Sequence, residues 1–379
     1  MKLFHISDLH LGKRVNEYSM LEDQKYILTR ILNIVDDERP DGLLIAGDVY
    51  DKSVPSCESV QLFAEFLVEL AEDGIAVFII SGNHDSPERL AFGGRLIDRS
   101  GIHLSPVYDG GVRPHSLYDA HGRVNIYMLP FVKPVNVRAV DSNEDIVSYT
   151  DAVAAAIKRM QIDQSERNVL VTHQFVTGAS RSGSEELSVG GTDNVDAAVF
   201  KPFDYVALGH IHSPQNIGSE RIRYCGSPLK YSFSEVGQTK SITVVELGAK
   251  GELALSEIPL KPLRELHELR GSYAELTRQD YYRDTTLRED YVHITLTDNE
   301  DIPEAYAKLR VIYRRLMRLD YDNARTRAGI DPQIEATADS LNPLELFMKL
   351  YEKQNAVPMP SDSVEYTKKL IESVWEKQT

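Results

Sequence analysis

Residues 1–12 read MKLFHISDLHLG, and residues 42–51 read GLLIAGDVYD. In each stretch an apolar run of strand length passes directly into polar residues, which are Asp8 and His10 in the first and Asp48 in the second. Short apolar runs bounded by turn residues are typical of buried strands. The two stretches therefore predict strands of an α/β fold that carry polar side chains at their carboxyl ends.

The same pattern recurs along the first two-thirds of the chain. Strands are predicted at Leu3–Ile6, Gly42–Ala46, Ala76–Ile80, Asn125–Leu129, Asn168–Thr172 and Tyr205–Leu208. Two helices of period 3.6 are predicted between the first three strands, at Met20–Val35 and Glu58–Glu72. The apolar face of the second helix comprises Val60, Phe63, Phe66, Leu67 and Leu70. Because ligand sites gather at the carboxyl ends of sheet strands, five strand ends are expected to converge on one site.

The pattern changes after Tyr205. Shorter strands are predicted at Arg221–Cys225, Lys240–Leu247 and Glu252–Ile258, before Pro259 and Pro262 mark a boundary. The segment that follows predicts a small α+β unit with a strand at Tyr291–Leu296 and another at Arg318–Tyr321. A helix that begins at Pro303 is expected between them, with an apolar face of Ala305, Leu309, Ile312 and Leu316.

Composition limits the function classes. The formal net charge of the 379 residues is -16, which is the wrong sign for binding nucleic acid through a basic surface alone. Bound divalent cations or a partner protein would have to supply positive charge. Cys57 and Cys225 are too few for a disulfide scaffold and indicate reduced thiols, as in the cytoplasm. No apolar run is long enough for a membrane span, and none resembles an export signal.

The residues that follow the predicted strands suit metal ions. Carboxylate, imidazole and amide donors favour divalent ions such as manganese, with magnesium as the alternative. Two such ions can activate water and neutralise a phosphate during its hydrolysis, and the Asp48 carboxylate is the natural bridge between them. The candidate ligands are Asp8, His10, Asp48, Asn83, His173, His210 and His212.

These motifs, in this order, resemble those of the calcineurin-like metallophosphoesterase superfamily. The resemblance implies an α/β sandwich of two sheets flanked by helices. It assigns Asp8, His10 and His212 to one ion and Asn83, His173 and His210 to the other. It also makes His84 the catalytic group that acts on the leaving oxygen, with Asp51 orienting His84 and keeping it cationic.

Three further stretches are more specific: Ser182-Gly183-Ser184-Glu185 with Val189-Gly190-Gly191, then Asp204 through Gln215, and Tyr224 through Leu229 with the following Ser232-Phe233-Ser234-Glu235. They resemble the SbcD family, the nuclease subunits of bacterial SbcCD complexes, whose relatives include the archaeal and eukaryotic double-strand-break-repair nuclease. The resemblance implies an ATP-dependent exonuclease on duplex DNA ends that also cleaves single-stranded and hairpin DNA in repair and recombination. Because the chain contains no phosphate-binding Gly-x-x-x-x-Gly-Lys-Ser/Thr loop, the ATP site is expected in another chain.

The same resemblance implies three domains. Residues 1–262 would form the nuclease domain, and residues 263–330 a capping domain that helps to select DNA. Residues 331–379, which predict two amphipathic helices, would bind the coiled coil of an SbcC-type ATPase subunit. The whole would be a homodimer within a heterotetramer.

Several alternatives stay open at this level. A phosphatase or nucleotide hydrolase would share the metal motifs, and so would a degenerate scaffold, although every ligand position is filled here. The tail helices could instead dock on their own domain. Arg310, Arg314, Arg315, Arg318, Arg325 and Arg327 could contact DNA or form a solvated face. Structural or solvent-facing roles are expected for His5, His103, His115, His121, His267 and His293.

Overall fold

The computed structural model describes residues 1–141, 145–185, 193–300, 302–323, 342–355 and 357–377. These residues divide into two compact units, and the division falls after Leu263. The strands are β1 (Lys2–Ile6), β2 (Arg14–Val15), β3 (Tyr18–Ser19), β4 (Gly42–Ala46), β5 (Ala76–Ile80), β6 (Ile102–Leu104), β7 (His115–Asp119), β8 (Gly122–Leu129), β9 (Arg167–His173), β10 (Tyr205–Gly209), β11 (Gln215–Ile217), β12 (Ser219–Tyr224), β13 (Ser241–Leu247), β14 (Leu253–Pro259), β15 (Leu266–Gly271), β16 (Tyr291–Leu296) and β17 (Arg315–Tyr321).

The α-helices range from single turns to 18 residues. They are α1 (Leu21–Glu38), α2 (Cys57–Glu72), α3 (Pro87–Leu90), α4 (Gly94–Ile97), α5 (Pro134–Val140), α6 (Tyr149–Arg159), α7 (Tyr273–Leu276), α8 (Gln279–Tyr282), α9 (Ala305–Ile312), α10 (Pro343–Asn355) and α11 (Ser361–Lys377). None of these helices combines the length and the apolarity that crossing a membrane requires.

The first unit is a sandwich of two six-stranded sheets, in the orders β14-β13-β1-β4-β5-β6 and β11-β12-β10-β9-β8-β7. Each sheet contains four adjacent parallel strands, namely β1, β4, β5 and β6 in one, where β6 is the edge strand, and β12, β10, β9 and β8 in the other. Leu44 and Phe78 from the first sheet pack with Ile126 and Val169 from the second in one buried core. This architecture confirms the predicted α/β sandwich.

The six strands predicted up to Leu208 are all present, with ends that shift by at most three residues. One detail of helix α2 is wrong, because Val60 is 43% exposed. The buried face of α2 instead contains Ser59, Leu62, Phe63, Phe66 and Leu70. Val60 follows Ser59 by one residue, which is a rotation of about 100° around the helix and turns Val60 away from that face.

The second unit begins with the three-stranded sheet β15-β16-β17, whose strands are all parallel. The sequence prediction missed strand β15 and placed Leu316 in a helix. Helix α9 in fact ends at Ile312, and Leu316 lies in strand β17. Leu316 still packs with Leu309 in the same core. It therefore fitted the apolar spacing of a helix although it is not part of the helix.

Helices α10 and α11 lie within the predicted tail and contact each other. Leu344 is buried, whereas Leu346, Phe347, Leu350 and Tyr366 are exposed. The amphipathic pattern therefore leaves part of its apolar surface in contact with solvent.

Candidate metal centre

The seven predicted ligands lie at five strand ends of the sandwich. Asp8 and His10 follow strand β1, Asp48 follows β4, and Asn83 follows β5. His173 is the last residue of strand β9, and His210 and His212 follow β10. All are buried except Asn83, which is partly buried. Parallel strands place their carboxyl ends along the same edge of each sheet, and these edges of the two packed sheets adjoin, so residues 202 positions apart meet here.

Asp8, His10 and His212 form one half of this centre, and their ligand atoms lie within 4.8 Å of one another. His10 Nε2 and His212 Nε2 face each other at 3.0 Å. The Asp8 carboxylate accepts a hydrogen bond from the backbone N–H of His210, at 3.1 Å. This half therefore joins β1 to β10 across the two sheets.

Asn83, His173 and His210 form the other half. Asn83 Oδ1 lies 2.9 Å from both His173 Nε2 and His210 Nδ1. Asp48 Oδ2 lies 3.3 Å from His173 Nε2 and 3.7 Å from His10 Nε2. Asp48 thus lies between the two halves, in the position that a bridging carboxylate requires.

The backbone is strained at these positions. Asp8, His10, Asp48 and His210 all have positive φ angles, of 54°, 44°, 49° and 101°. Residues other than glycine rarely adopt this region, and such strain concentrates at functional sites. The strand ends therefore turn sharply enough to aim side chains along the edge of the sandwich.

Close packing adds a second constraint on the backbone. A Cβ atom on Gly82 would lie 2.1 Å from Asp48 Oδ1, and one on Gly209 would lie 1.9 Å from the Ala46 carbonyl oxygen. Glycine is therefore required at positions 82 and 209 because no side chain fits there.

The protonation of the imidazoles suits metal binding. Burial holds the pKa of His10 and of His210 well below the ordinary value, so both rings are neutral and offer a lone pair. Burial opposes the charge of His173, but the nearby Asp48 carboxylate raises the pKa of His173 to about 9. Burial likewise opposes the charge of Asp48, yet His173 and His84 hold the pKa of Asp48 well below its usual range. A cation bound here would replace the His173 proton as the partner of Asp48.

The donor set fits divalent ions by its own chemistry. It combines two carboxylates, one amide oxygen and four imidazoles in a buried space, without a thiolate. His210 Nε2 and His10 Nδ1 are buried and form no hydrogen bond within the described part of the chain. Burying the carboxylates of both Asp8 and Asp48 costs free energy unless a positive charge compensates them.

His84 lies beside the ligands and is partly exposed. Its backbone N–H donates to Asp48 Oδ1 at 2.9 Å, and its ring lies 4.8 Å from that of His10. His84 Nδ1 bonds the main-chain carbonyl oxygen of Asp51 at 3.0 Å, whereas the Asp51 carboxylate accepts from Lys13 Nζ at 2.8 Å. Asp51 therefore contacts His84 through its main-chain carbonyl, and an orienting role for its carboxylate stays a prediction.

Asp85, which follows His84, has a role that the sequence analysis did not assign. The Asp85 carboxylate accepts backbone N–H groups from Val49, Tyr50 and Gly82, at 2.9 to 3.1 Å. It thereby ties the loop after β4 to the loop after β5. The signal for this role was the position of Asp85 directly after Asn83 and His84.

Gln24 and Tyr231 were also missed. Gln24 Nε2 donates to the His10 carbonyl oxygen at 2.7 Å, and the Tyr231 hydroxyl donates to that of Leu9 at 2.5 Å. Both side chains hold the loop after β1. A polar residue within a helix and a tyrosine in a distant loop carry no local signal for this role.

The histidines outside the motifs have separate partners. His5 is buried and bonds the Tyr205 hydroxyl at 2.9 Å. His103 pairs with Asp98 at 2.7 Å, and His267 pairs with Asp290 at 2.9 Å. His115 packs against His103, and His293 pairs with Asp320. Structural or solvent-facing roles for these histidines stay a prediction.

Comparison with known proteins places the chain in a family. The family model described as calcineurin-like phosphoesterase matches residues 1–214. A second model, described as the type 5 capsule protein repressor C-terminal domain, matches residues 262–355. A dimetal phosphatase of Danio rerio is 11% identical, covers 69% of this chain and 98% of its own, and has a TM-score of 0.38, which is too low to bear on function.

Two curated relatives match most of the chain. The SbcD subunit of the SbcCD nuclease of Staphylococcus epidermidis is 33% identical over 373 residues, which cover 97% of each chain. Its counterpart in Staphylococcus saprophyticus is 34% identical over 323 residues, which cover 84% of each chain. The chain therefore belongs to the SbcD family, the nuclease subunits of SbcCD, which are metal-dependent nucleases within the calcineurin-like phosphoesterases.

Proposed function

We propose that this nuclease hydrolyses DNA phosphodiesters with two divalent ions, most effectively Mn²⁺, held by Asp8, His10, His212, Asn83, His173 and His210 with Asp48 between them. The observation that carries the proposal is the convergence of these donors, all buried except the partly buried Asn83, from five strand ends. Oxygen and imidazole donors suit Mn²⁺, with Mg²⁺ as the weaker alternative.

Two bound ions supply positive charge to the phosphate and make water more acidic. The residues of the chain divide the remaining work. Asp48 holds the two halves in register, because its carboxylate faces His173 on one side and His10 on the other. His84 donates a proton to the leaving oxygen as the bond from phosphorus to that oxygen breaks and the bond to the water oxygen forms. Its bond to the Asp51 carbonyl keeps a proton on Nδ1, so the proton that is transferred is the second one, on Nε2 of the cationic ring, which then becomes neutral.

The substrate test compares DNA with small esters. We expect the purified chain with Mn²⁺ to cleave a labelled DNA hairpin and single-stranded DNA, and to lose this activity in the Asp48→Asn variant. Hydrolysis of nitrophenyl phosphate or mononucleotides without cleavage of DNA would favour the phosphatase or nucleotide hydrolase instead.

The tail is proposed to bind an SbcC-type ATPase subunit, which would make exonuclease action on duplex ends depend on ATP. The exposed side chains of Leu346, Phe347 and Leu350 on helix α10 give an apolar face of the kind that packs against a coiled coil. The test is co-purification of this ATPase subunit with the chain truncated near Ser340. Retained binding would refute the assignment.

A DNA-selecting role is also proposed for the second unit. Arg314 and Arg315 pair with Glu289, and Arg318 pairs with Asp320, so three of the candidate arginines already have acidic partners. Arg310 lies over the ring of Tyr306, and Arg325 and Arg327 lie outside the described residues. Replacing Arg310 and Arg314 with Glu reverses the charge of both side chains. The double variant should bind DNA more weakly, and its binding should depend less on salt.

Homodimerisation within a heterotetramer is also proposed. Phe92 and Leu96 are 87% and 83% exposed and lie close together along the chain in α3–α4 and the turn that joins them. Large apolar side chains this exposed are typical of contacts between protomers. Replacing both with Glu should convert a dimer to a monomer in light scattering.

A further inference from the structure

The side chain of His212 is supported differently from the other candidate ligands. We propose that Ser184, Glu235 and Lys240 form a hydrogen-bond chain that keeps the His212 proton on Nδ1 and leaves Nε2 free to bind a metal ion. These are positioning residues, since they act on the ion through His212. The inference rests on the proposed metal-binding role of His212 but not on the choice of DNA as substrate.

The hydrogen-bond chain begins at the imidazole ring. His212 Nδ1 lies 2.7 Å from Ser184 Oγ, and Ser184 Oγ lies 2.5 Å from Glu235 Oε1. The other oxygen of Glu235 accepts from Lys240 Nζ, also at 2.5 Å. Glu235 and Lys240 are buried, so water does not screen this ion pair.

The order of donors follows from the charges. The Glu235 carboxylate, which faces the Lys240 ammonium group, can only accept hydrogen bonds. Ser184 has a single hydroxyl hydrogen and must use it to donate to Glu235. Its oxygen then accepts from His212 Nδ1, which therefore carries the ring proton. The opposite nitrogen, His212 Nε2, keeps its lone pair and points towards His10 Nε2 at 3.0 Å.

Ser182 offers the one competing partner that the described residues contain, at 2.8 Å from Ser184 Oγ. The Ser182 hydroxyl also lies 2.8 Å from Glu185 Oε2, to which it can donate. A hydrogen bond to a carboxylate is stronger than one between hydroxyls, so each serine is expected to donate to its glutamate. The hydrogen-bond chain from His212 to Glu235 is then undisturbed.

The backbone of His212 is held by Glu185 and by Lys240. Glu185 Oε1 accepts the His212 N–H at 2.7 Å, and Lys240 Nζ donates to the His212 carbonyl oxygen at 2.8 Å. The segments 182–185 and 232–235 are joined by a bond from Gly183 N–H to Ser234 Oγ, at 2.9 Å. The side chain, N–H and carbonyl group of His212 are therefore all bound by residues of these segments or by Lys240.

A merely structural network would not need this arrangement. A buried ion pair contributes little net stability compared with apolar packing. Partners that hold the second nitrogen of a metal-binding histidine, in contrast, determine its tautomer and its affinity for the ion. The two serine and glutamate motifs therefore have a chemical reason to occur together.

The test titrates the metal-free full chain with Mn²⁺ alone, without DNA, and follows binding by calorimetry. In Ser184→Ala and Glu235→Gln we expect one ion to bind as in the wild type and the other to bind about 10 to 100-fold more weakly. Ser184→Thr retains the hydroxyl and should restore the affinity. Ser234→Ala is the matched control, since it lies on the same loop contact but outside the hydrogen-bond chain.

Two results would overturn the proposal. One is Ser184→Ala binding both ions with wild-type affinity. The other is an equal weakening of both ions together with a lowered melting temperature, which would indicate general disruption. If Glu235→Gln does not fold, the comparison of Ser184→Ala with Ser184→Thr decides alone. Because no DNA is present, the outcome is independent of the nuclease substrate.

Discussion

The two halves of the candidate metal centre are held in different ways. His173 directs its Nδ1 to the main-chain carbonyl oxygen of Ala46, at 2.8 Å. His212 directs its Nδ1 to the hydroxyl of Ser184, and through it to Glu235. One half is therefore supported by backbone that any chain with these strands provides. The other depends on side chains from segments that resemble one nuclease family in particular.

The largest expected effect comes from the residue between the halves. Asp48→Asn should lower the Mn²⁺ content below one ion per chain and reduce DNA cleavage by about 1000-fold or more, because both ions lose a charged ligand. Metal analysis and hairpin cleavage measure the two effects. If one ion stayed at full affinity, Asp48 would belong to only one half, and the proposed bridge would be wrong.

His84→Ala should separate catalysis from metal binding. We expect both ions to remain and turnover to fall by about 100 to 10,000-fold, since the group that donates the proton is lost. The measurements are metal content and single-turnover cleavage on the same preparation. Full activity with intact metal content would remove His84 from the mechanism.

Gly209→Ala should disturb the half of the metal centre that contains His173, whose ring is held by a main-chain carbonyl. The added Cβ would meet the Ala46 carbonyl and would also lie 2.6 Å from His173 Nδ1. We expect the free energy of unfolding to fall by about 3 kcal/mol, measured in denaturant. Gly237→Ala is the control, since its Cβ would meet nothing within 4 Å. Equal stabilities for the two variants would show that the close packing at Gly209 is unimportant.

The buried His5 should make the stability of the fold depend on pH in the acid range. Burial, with a contribution from Arg223, lowers the pKa of His5 to about 3 from its ordinary 6.5. Between these values the unfolded chain binds a proton that the folded chain does not. Stability should therefore fall as the pH drops from 6.5 towards 3, by up to about 1.4 kcal/mol per pH unit.

The His5→Gln variant isolates this contribution, because it retains a polar partner for the Tyr205 hydroxyl. Unfolding in denaturant at several pH values should give a shallower acid slope than the wild type. Identical slopes would show that His5 does not titrate in this way.

The smallest effect is expected from Asp51→Asn. The contact of residue 51 with His84 is through the main-chain carbonyl, which the substitution leaves in place. Cleavage should change by less than about 5-fold, far less than in His84→Ala. A loss comparable to that of His84→Ala would show that the Asp51 carboxylate itself orients His84.

Much of the centre could be predicted because its residues follow recognisable strands. Asp8, Asp48, Asn83, His173 and His210 each lie at or just beyond the end of an apolar run. The support beneath them could not be predicted in the same way. Gln24 and Lys240 reach His10 and His212 from elsewhere along the chain, and no local pattern predicts such a contact.

Local sequence patterns also gave two wrong predictions about the fold. Leu316 matched a helical spacing but lies in strand β17, because an isolated apolar residue satisfies either period. Val60 was placed on the buried face of α2 although the alternative Leu62 stood two residues away. Both errors arise where the side chain is apolar in either case and only packing decides its direction.

The sequence by itself determined the strands, the order of the ligands and the class of chemistry, because these depend on residue type and on spacing along the chain. Only the tertiary structure decided which nitrogen and which oxygen meet. It placed the carbonyl of Asp51 against His84, and it brought Glu235 within reach of His212 through Ser184. Such contacts depend on distances and backbone angles that are set only when the two sheets pack together.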